Sequence, residues 1–417
     1  MNRLRRAGKV SKFLLAMVGT TLFGNKPPKP PEGAVFSVDD LETYVNNLVE
    51  MSRPPGLSLV VVKDGETVYQ KSFGLADGPK NITATPDTVF QWMSMTKMTT
   101  AVAIIQLHER ESLNLEDAVE KHLPFFKVRY PSEDSEQVTI RHLLNHSSGL
   151  ANPPGVLGLI HLQDEPYPDQ VELARRLVAE NSKLKFEAGT QGTYTNLGYT
   201  VLGAIVEVVS GQPHHEYVAE HIFRPLRMNN SNHVFTDAMR ANAAVGSQPN
   251  GSIMSVMLPI AIEDPDALIR ETVNGRMWFK PVSPDFSGAA GVNGPAVDTA
   301  RFVMSFLNGG DLNGERILST ESVAMMIQDG HIVAKGGPAS FYKGVKHGLG
   351  WWIWPDGNRQ RIMHSGDGPG FSNIMQLYPE ERLGVIVMGN EWAYGVAFRG
   401  TAIRDSIAYL AASIDWR

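Results

Sequence analysis

The feature that most limits how this chain can fold is the division of its strand-forming segments between its two ends. Leu57 to Lys63 is rich in β-branched and apolar residues, Asp64-Gly65 has the residues of a tight hairpin turn, and Thr67 to Phe73 reads as the returning strand. Strand signals then fade and return late, at Gly348 to Trp354, Arg361 to His364, Asn373 to Tyr378 and Leu383 to Met388. Helical patterns fill the space between: Lys97 to Arg110, Ile140 to Leu144, Asp169 to Asn181, Leu197 to Val209 and Glu216 to Phe223. A last helix is expected from about Ala397 to Ile414. Joining the terminal strands in one sheet leaves the middle of the chain as a helical subdomain packed against it. The expected class is α+β: an antiparallel sheet of N- and C-terminal strands flanked by helices, with a mainly helical subdomain, roughly 91–290, inserted between. Ligand sites tend to lie in the crevice such an arrangement creates.

Ser37-Val38-Asp39-Asp40 has the spacing of a capping box with Asp in place of Glu, and opens a helix on which Leu41, Val45 and Leu48 share a face. Ala241 to Pro284 carries little periodicity and is expected to be an irregular insertion or lid. Residues 1–32 stand apart. Arg3, Arg5, Arg6, Lys9 and Lys12 precede an apolar run from Phe13 to Phe23, and Pro27-Pro28-Lys29-Pro30-Pro31 reads as a stiff tether. A signal-like or anchoring segment is expected, with an exported or membrane-anchored protein; a basic amphipathic tail on a cytoplasmic protein is the alternative. The run is shorter than the ~20 residues a spanning helix needs.

The chain has 417 residues, 42% hydrophobic and 20% charged, with a net charge of −6. Nothing in that balance would hold phosphates, so nucleic acid is not an expected partner. There is no cysteine, which removes thiol nucleophiles and thiolate metal sites. His215-Glu216 with His221 resembles a zinc motif, but the second histidine should stand at position 219, which is alanine. G-x-S-x-G is absent, as are phosphate-loop and dinucleotide fingerprints. No metal and no cofactor is expected.

Chemistry concentrates in three places. Ser94-Met95-Thr96-Lys97 puts a hydroxyl and an amine on one face of a helix start, where a free backbone N–H can meet a developing oxyanion. In Gly189 to Asn196, Tyr194 offers a phenol for proton transfer and Asn196 an amide to bind a carbonyl and orient the lysine. His364-Ser365-Gly366-Asp367-Gly368-Pro369-Gly370 lets backbone pass close to a ligand and offers a second N–H donor, with His364 as a source of a proton or partial positive charge. Each pattern alone is common. Leu143 to Leu150, with His146, reads on physical grounds as a helix end and turn.

In this order, Ser94-x-x-Lys97, Tyr194-x-Asn196 and His364-x-Gly366 resemble the serine β-lactamase and penicillin-binding-protein superfamily, in its class C-like branch with related esterases and D-aminopeptidases. Leu143 to Leu150, Gly198-Tyr199, Leu202-Gly203 and Gly348 to Trp351 are similar to that family's surroundings, and the resemblance runs from about Val38 to the C-terminus. It implies a catalytic domain over 33–417. It also implies Ser94 as the acylated nucleophile, Lys97 as a partly neutral base, Tyr194 as partner base and later acid, and Asn196 as a ligand of Lys97 and of the substrate carbonyl. The N–H groups of Ser94 and Asp367 would form the oxyanion hole. Whether Lys97 or Tyr194 takes the first proton stays open.

One position departs from the pattern. Most lactamases and transpeptidases of the superfamily carry lysine where this chain has His364, which is largely neutral near pH 7 and weakens carboxylate recognition. The expected activity is therefore hydrolysis of a small ester, amide or peptide, esterase-like or D-aminopeptidase-like. The alternatives are a β-lactamase or D,D-peptidase, and a non-catalytic binding protein that retains the fold.

Overall fold

The computed structural model describes residues 35–153, 158–163, 165–252, 255, 258, 264–328, 332–341, 344–356, 359–392 and 402–417. The leader and tether expected in 1–32, and the first turn of the expected last helix, lie outside the described residues. No helix among the described residues is long and apolar enough to cross a membrane.

The two ends of the chain do meet. The strands of the main sheet are β1 (Gly56–Lys63), β2 (Glu66–Asp77), β3 (Ile82–Thr83), β4 (Gly192–Thr193), β5 (Ile332–Gly336), β6 (Lys346–His347), β7 (Trp352–Asp356), β8 (Arg359–Gly368), β9 (Phe371–Tyr378) and β10 (Leu383–Gly389). Their order is β3-β2-β1-β10-β9-β8-β7-β6-β5-β4. β1 pairs antiparallel with β10, Leu57 opposite Gly389 and Lys63 opposite Leu383. The sheet is antiparallel except at its far edge, where β4 runs parallel to β5. Asp64 (φ 53°) and Gly65 (φ 86°) make the turn between β1 and β2.

Period-two alternation sends side chains to two cores, one on each face of the sheet. Val60, Val62, Ile362, Met375 and Ile386 face α2 (Lys97–Glu109), α5 (Asn196–Ser210) and α7 (Ala296–Leu307). Leu59, Val61, Met363, Ile374 and Val385 face α1 (Val38–Glu50) and α8 (Ile403–Ala412). α3 (Ile140–Leu144), α4 (Gln170–Glu180) and α6 (His214–Val218) are further helices near the site. Each buried Val, Leu or Ile contributes roughly 1.5–3 kcal/mol, so a charge at Val61 would forfeit that contribution and leave an unpaired charge in the core. The expected capping box is present: Ser37 N–H donates to Asp40 Oδ2 (2.9 Å), and Asp40 N–H to Ser37 Oγ (3.2 Å). α2 is buried on every side from Lys97 to Leu107, which makes it a central element rather than a surface helix.

Two expectations need correction. Ala241 to Pro284 is not irregular throughout: Ser247–Pro249, Ile269–Val273 and Arg276–Phe279 form a small antiparallel sheet. The sequence carried the sign in Asn274-Gly275, a turn pair with both φ angles positive (51° and 73°). The strand expected to end at His364 continues to Gly368, so Gly366 and Asp367 are strand residues and the hairpin turn falls at Pro369-Gly370. Glycine weakened the strand signal there, but close packing required it.

Candidate active site

Ser94 lies in a single 3₁₀ turn, Met93–Thr96, that runs straight into α2. The residue before it, Met93, has a φ of 52°, a left-handed conformation that costs a non-glycine residue about 1 kcal/mol and is held here by burial. Strand β8 packs directly on this turn. A Cβ at Gly366 would collide with the Trp92 carbonyl, and one at Gly368 with the Met93 side chain. Glycine at alternate positions of β8 is therefore what allows the Asp367 backbone to approach Ser94.

Lys97 is fully buried, and its surroundings fix its three substituents. Nζ lies 2.7 Å from Asn196 Oδ1, 2.8 Å from the Ala289 carbonyl and 3.3 Å from Ser94 Oγ. Burial holds its pKa well below the usual lysine value. A neutral amine has two hydrogens and one lone pair. The carbonyl and the amide oxygen can only accept, so they take both hydrogens and leave the lone pair facing Ser94. The Nζ atom also sits 4.8 Å from the centre of the Tyr194 ring and 5.6 Å from that of Tyr199.

Asn196 opens α5, with Thr195 as its cap: Thr195 Oγ1 accepts from Leu197 N–H at 3.1 Å. Its own N–H donates to Asn152 Oδ1 (2.9 Å). Tyr194 is buried, with its hydroxyl beside Ser94. Burial raises its pKa; the neighbouring Ser94 hydroxyl pulls it down, and the Asp367 carboxylate adds to the rise. The His146 ring packs against Tyr194 at 4.5 Å. Its Nδ1 accepts from Thr195 N–H (3.3 Å), and its carbonyl accepts from Thr193 N–H (2.9 Å). The helix end at Leu143 to Leu150 is thus structural, as its pattern suggested, but the element it supports is the Tyr194 loop.

On the sheet side His364 is fully buried. Its Nδ1 lies 2.7 Å from the Ser365 carbonyl, which only accepts, so Nδ1 carries the hydrogen and Nε2 is a lone pair with no partner. Burial, and then the Lys97 amine in its protonated form, hold its pKa well below the usual histidine value. Burial in a dry site disfavours the imidazolium form of His364. The Asp367 carboxylate binds Arg404 Nη1 (2.6 Å), Ser365 Oγ (3.0 Å) and Ser372 Oγ, so its charge is matched from α8. Trp351 and Trp352 are core residues rather than a cleft wall, Trp352 packing 4.7 Å from His364.

These residues border a small cleft of about 30 Å³. It is lined by Gln91, Met93, Ser94, Asn196, Asp367 and Gly368, and by the apolar groups Ile160, Val282, Pro284, Phe286 and Ala290. No cationic side chain lines it among the described residues. The structure thus gathers Ser94, Lys97, Tyr194, Asn196, Gly366 and Asp367, with the His364 ring 6.3 Å from that of Tyr194. Sequence reasoning missed Ala289, Asn152 and the role of His146. Ala289 stands in a run of small residues from Ser287 to Ala290, and its neighbour Gly288 has no room for a Cβ beside Tyr199 and Gly203. That run was the one available signal.

Protein flp of Staphylococcus aureus (strain MW2) is 25% identical over 357 residues, which is 85% of this chain. The chain spans 63% of the length of that relative. A solved structure of an octameric penicillin-binding-protein homologue from Pyrococcus abyssi is 26% identical and superimposes with a TM-score of 0.70, covering 90% of this chain and 77% of that one. The D-amino acid amidase of Ochrobactrum anthropi SV3, at 20% identity and a TM-score of 0.71, covers 89% and 98% and shares the fold. The family model described as Beta-lactamase matches residues 41–408. Every segment that builds the cleft falls inside that match, and the chain belongs to the beta-lactamase family, whose members are serine hydrolases.

Proposed function

We propose that this chain hydrolyses small, uncharged esters or amides through an acyl-enzyme on Ser94. The observation that carries this reading is the buried Lys97, whose two acceptors leave its lone pair directed at Ser94 Oγ. Lys97 takes the Ser94 proton as Oγ attacks the carbonyl carbon. The neutral Lys97 and the protonated Tyr194 that burial favours assign the first proton to lysine, and make Tyr194 the acid that protonates the leaving group. Tyr194 then activates the water that releases the acyl group. Asn196 holds Lys97 and meets the substrate carbonyl, and the N–H groups of Ser94 and Asp367 stabilise the oxyanion, a contribution typically of about 3–4 kcal/mol per donor.

The substrate class follows from the cleft. Its walls are mostly apolar and it is small, which suits a short acyl group. A β-lactam or a D-alanyl terminus presents a carboxylate, and neither the neutral His364 nor any described lining residue offers it a cation. That disfavours the β-lactamase and D,D-peptidase alternative.

The test is a panel of short-chain activated esters, D-amino acid amides and a chromogenic cephalosporin, run on wild type and Ser94→Ala, with mass spectrometry after a fluorophosphonate. Ester or amide turnover exceeding cephalosporin turnover, with covalent mass gained on Ser94 alone, is expected. A chain that gains no mass is a binding protein, and faster cephalosporin turnover restores the lactamase reading.

A further inference from the structure

Residues 286–290 form a strap across the base of the cleft, and three consecutive carbonyls of it are each held by a side chain. His233 Nε2 lies 3.2 Å from the Ser287 carbonyl, Thr100 Oγ1 donates to the Gly288 carbonyl (2.7 Å), and Lys97 Nζ lies 2.8 Å from the Ala289 carbonyl. The Ser287 N–H donates to Gln170 Oε1 (2.8 Å). Thr100 stands one turn after Lys97 on the same face of α2, so the two residues grip adjacent carbonyls from one rigid element.

The bond directions follow from the donor inventory. Thr100 has one hydroxyl hydrogen, and Gly288 takes it. The 2.9 Å contact between Thr100 Oγ1 and His214 Nε2 therefore has the imidazole N–H donating to the hydroxyl. His214 is fully buried at the start of α6, and its tautomer is fixed with Nδ1 as a lone pair without a partner. The His233 ring meets it edge to face at 5.3 Å, and Tyr167 and His215 close the cluster. Burial, and then His215, lower the His214 pKa to about 3, so the chain His214 to Thr100 to Gly288 keeps one polarity across the working pH range.

We propose that His214 and Thr100 are positioning residues for the base: by fixing the Gly288 carbonyl they set the Ala289 carbonyl that aims the Lys97 lone pair at Ser94. The proposal rests on the reading of Lys97 given above. Its logic is geometric. One peptide plane separates the Gly288 and Ala289 carbonyls, so releasing the first lets the second turn. Lys97 then loses one of the two acceptors that orient it, and a misplacement of about 1 Å at a reacting group costs about a hundredfold in rate. The titratable groups facing Lys97 from other elements are Tyr194, Tyr199, His146 and His364; of these Tyr199 packs its backbone against Gly288 and spends its hydroxyl on the Leu144 carbonyl rather than on the strap.

The test pairs Thr100→Val, which removes the hydroxyl at nearly constant shape, with Thr100→Ser, which restores it. His214→Leu and His214→Gln make the same pair one bond further away. Two quantities are read: kcat and KM for an activated acetyl ester, and the titration of Lys97 by NMR of ¹³C-labelled lysine, assigned with Lys97→Met. Thr100→Val is expected to lower kcat about ten- to a hundredfold with KM within twofold. It is also expected to move the Lys97 titration to lower pH, because a lost acceptor penalises the ammonium more than the amine. Thr100→Ser and His214→Gln should recover both within threefold. A loss of activity that follows only the fraction of sites labelled by a fluorophosphonate, with the Lys97 titration unmoved, overturns the proposal. If Thr100→Val does not fold, a folded His214→Leu with wild-type kcat and titration overturns it equally. The NMR titration responds even if Ser94→Ala retains turnover, so failure of the positioning role and failure of the acyl-enzyme reading are distinguishable.

Discussion

The two walls of the cleft do different work. On the helical side the polar side chains of Ser94, Lys97 and Asn196 turn toward one another and toward the cleft. On the sheet side the polar side chains bond on their own side of the cleft: His364 donates to its neighbour's carbonyl, and the Asp367 carboxylate is held by Arg404 of α8. β8 contributes backbone and shape, through Gly366 and Gly368 against Trp92 and Met93. In the function proposed above, one wall supplies the reactive side chains and the other supplies backbone, its Asp367 carboxylate matched by Arg404. The difference arises from period. A helix start presents residues three apart on one face, whereas a strand sends alternate residues to opposite cores.

The sharpest way to break this comparison is to remove the reactive wall's centre. Ser94→Ala should lower ester turnover roughly 10⁵–10⁶-fold at unchanged circular dichroism; a residual rate within tenfold of wild type would mean the chemistry lies elsewhere. Lys97→Met comes next, with kcat down roughly 10³–10⁴-fold. It should also raise the melting temperature by roughly 2–4 °C. The sign follows from linkage. Lys97 has a folded pKa below its unfolded value, so between those two pH values the unfolded chain binds the extra proton, and stability falls as pH drops through that window. Methionine removes that cost. The same depression predicts that kcat/KM in the wild type declines on acidification through a limb lying well below the ordinary lysine range. A limb near the usual lysine value would contradict the burial argument.

Smaller effects probe the sheet wall. Gly366→Ala should push β8 off the Trp92 turn, with a stability loss of about 1–3 kcal/mol in urea unfolding and a kcat loss of about a hundredfold. If only stability changes, the strand contributes packing and no oxyanion donor. The least effect is expected from His364→Gln: kcat/KM within about tenfold of wild type, with the acid limb unmoved, because a buried neutral ring has no titration to lose there. A limb that disappears in this variant would return His364 to the reactive wall.

Much of this was legible in the chain, for physical reasons that differ by element. The Ser94 to Lys97 spacing survives translation into structure because three residues on a helix is a local geometry. The Asp64-Gly65 hairpin and the Ser37 to Asp40 cap are local in the same sense. The chemistry of an amide suggested that Asn196 could orient Lys97 and the family resemblance implied it, but the contact itself joins residues 99 positions apart in different helices, which local pattern does not reach. The small sheet around Asn274-Gly275 was readable and was passed over because its short strands interrupt one another. The depth at which His364 is buried is not legible in its own segment, because burial, which shifts an imidazole's pKa, is a property of the whole fold.

The sequence by itself determined the α+β division, the pairing of terminal strands, and the residue types from which a serine hydrolase site is assembled. Tertiary structure alone decided which way each of those side chains faces. It supplied the Ala289 carbonyl, the Thr100 and His214 network behind it and the Arg404 partner of Asp367. None of these lies near its target in the chain, and hydrogen bonds between distant segments leave no periodic trace for a sequence to display.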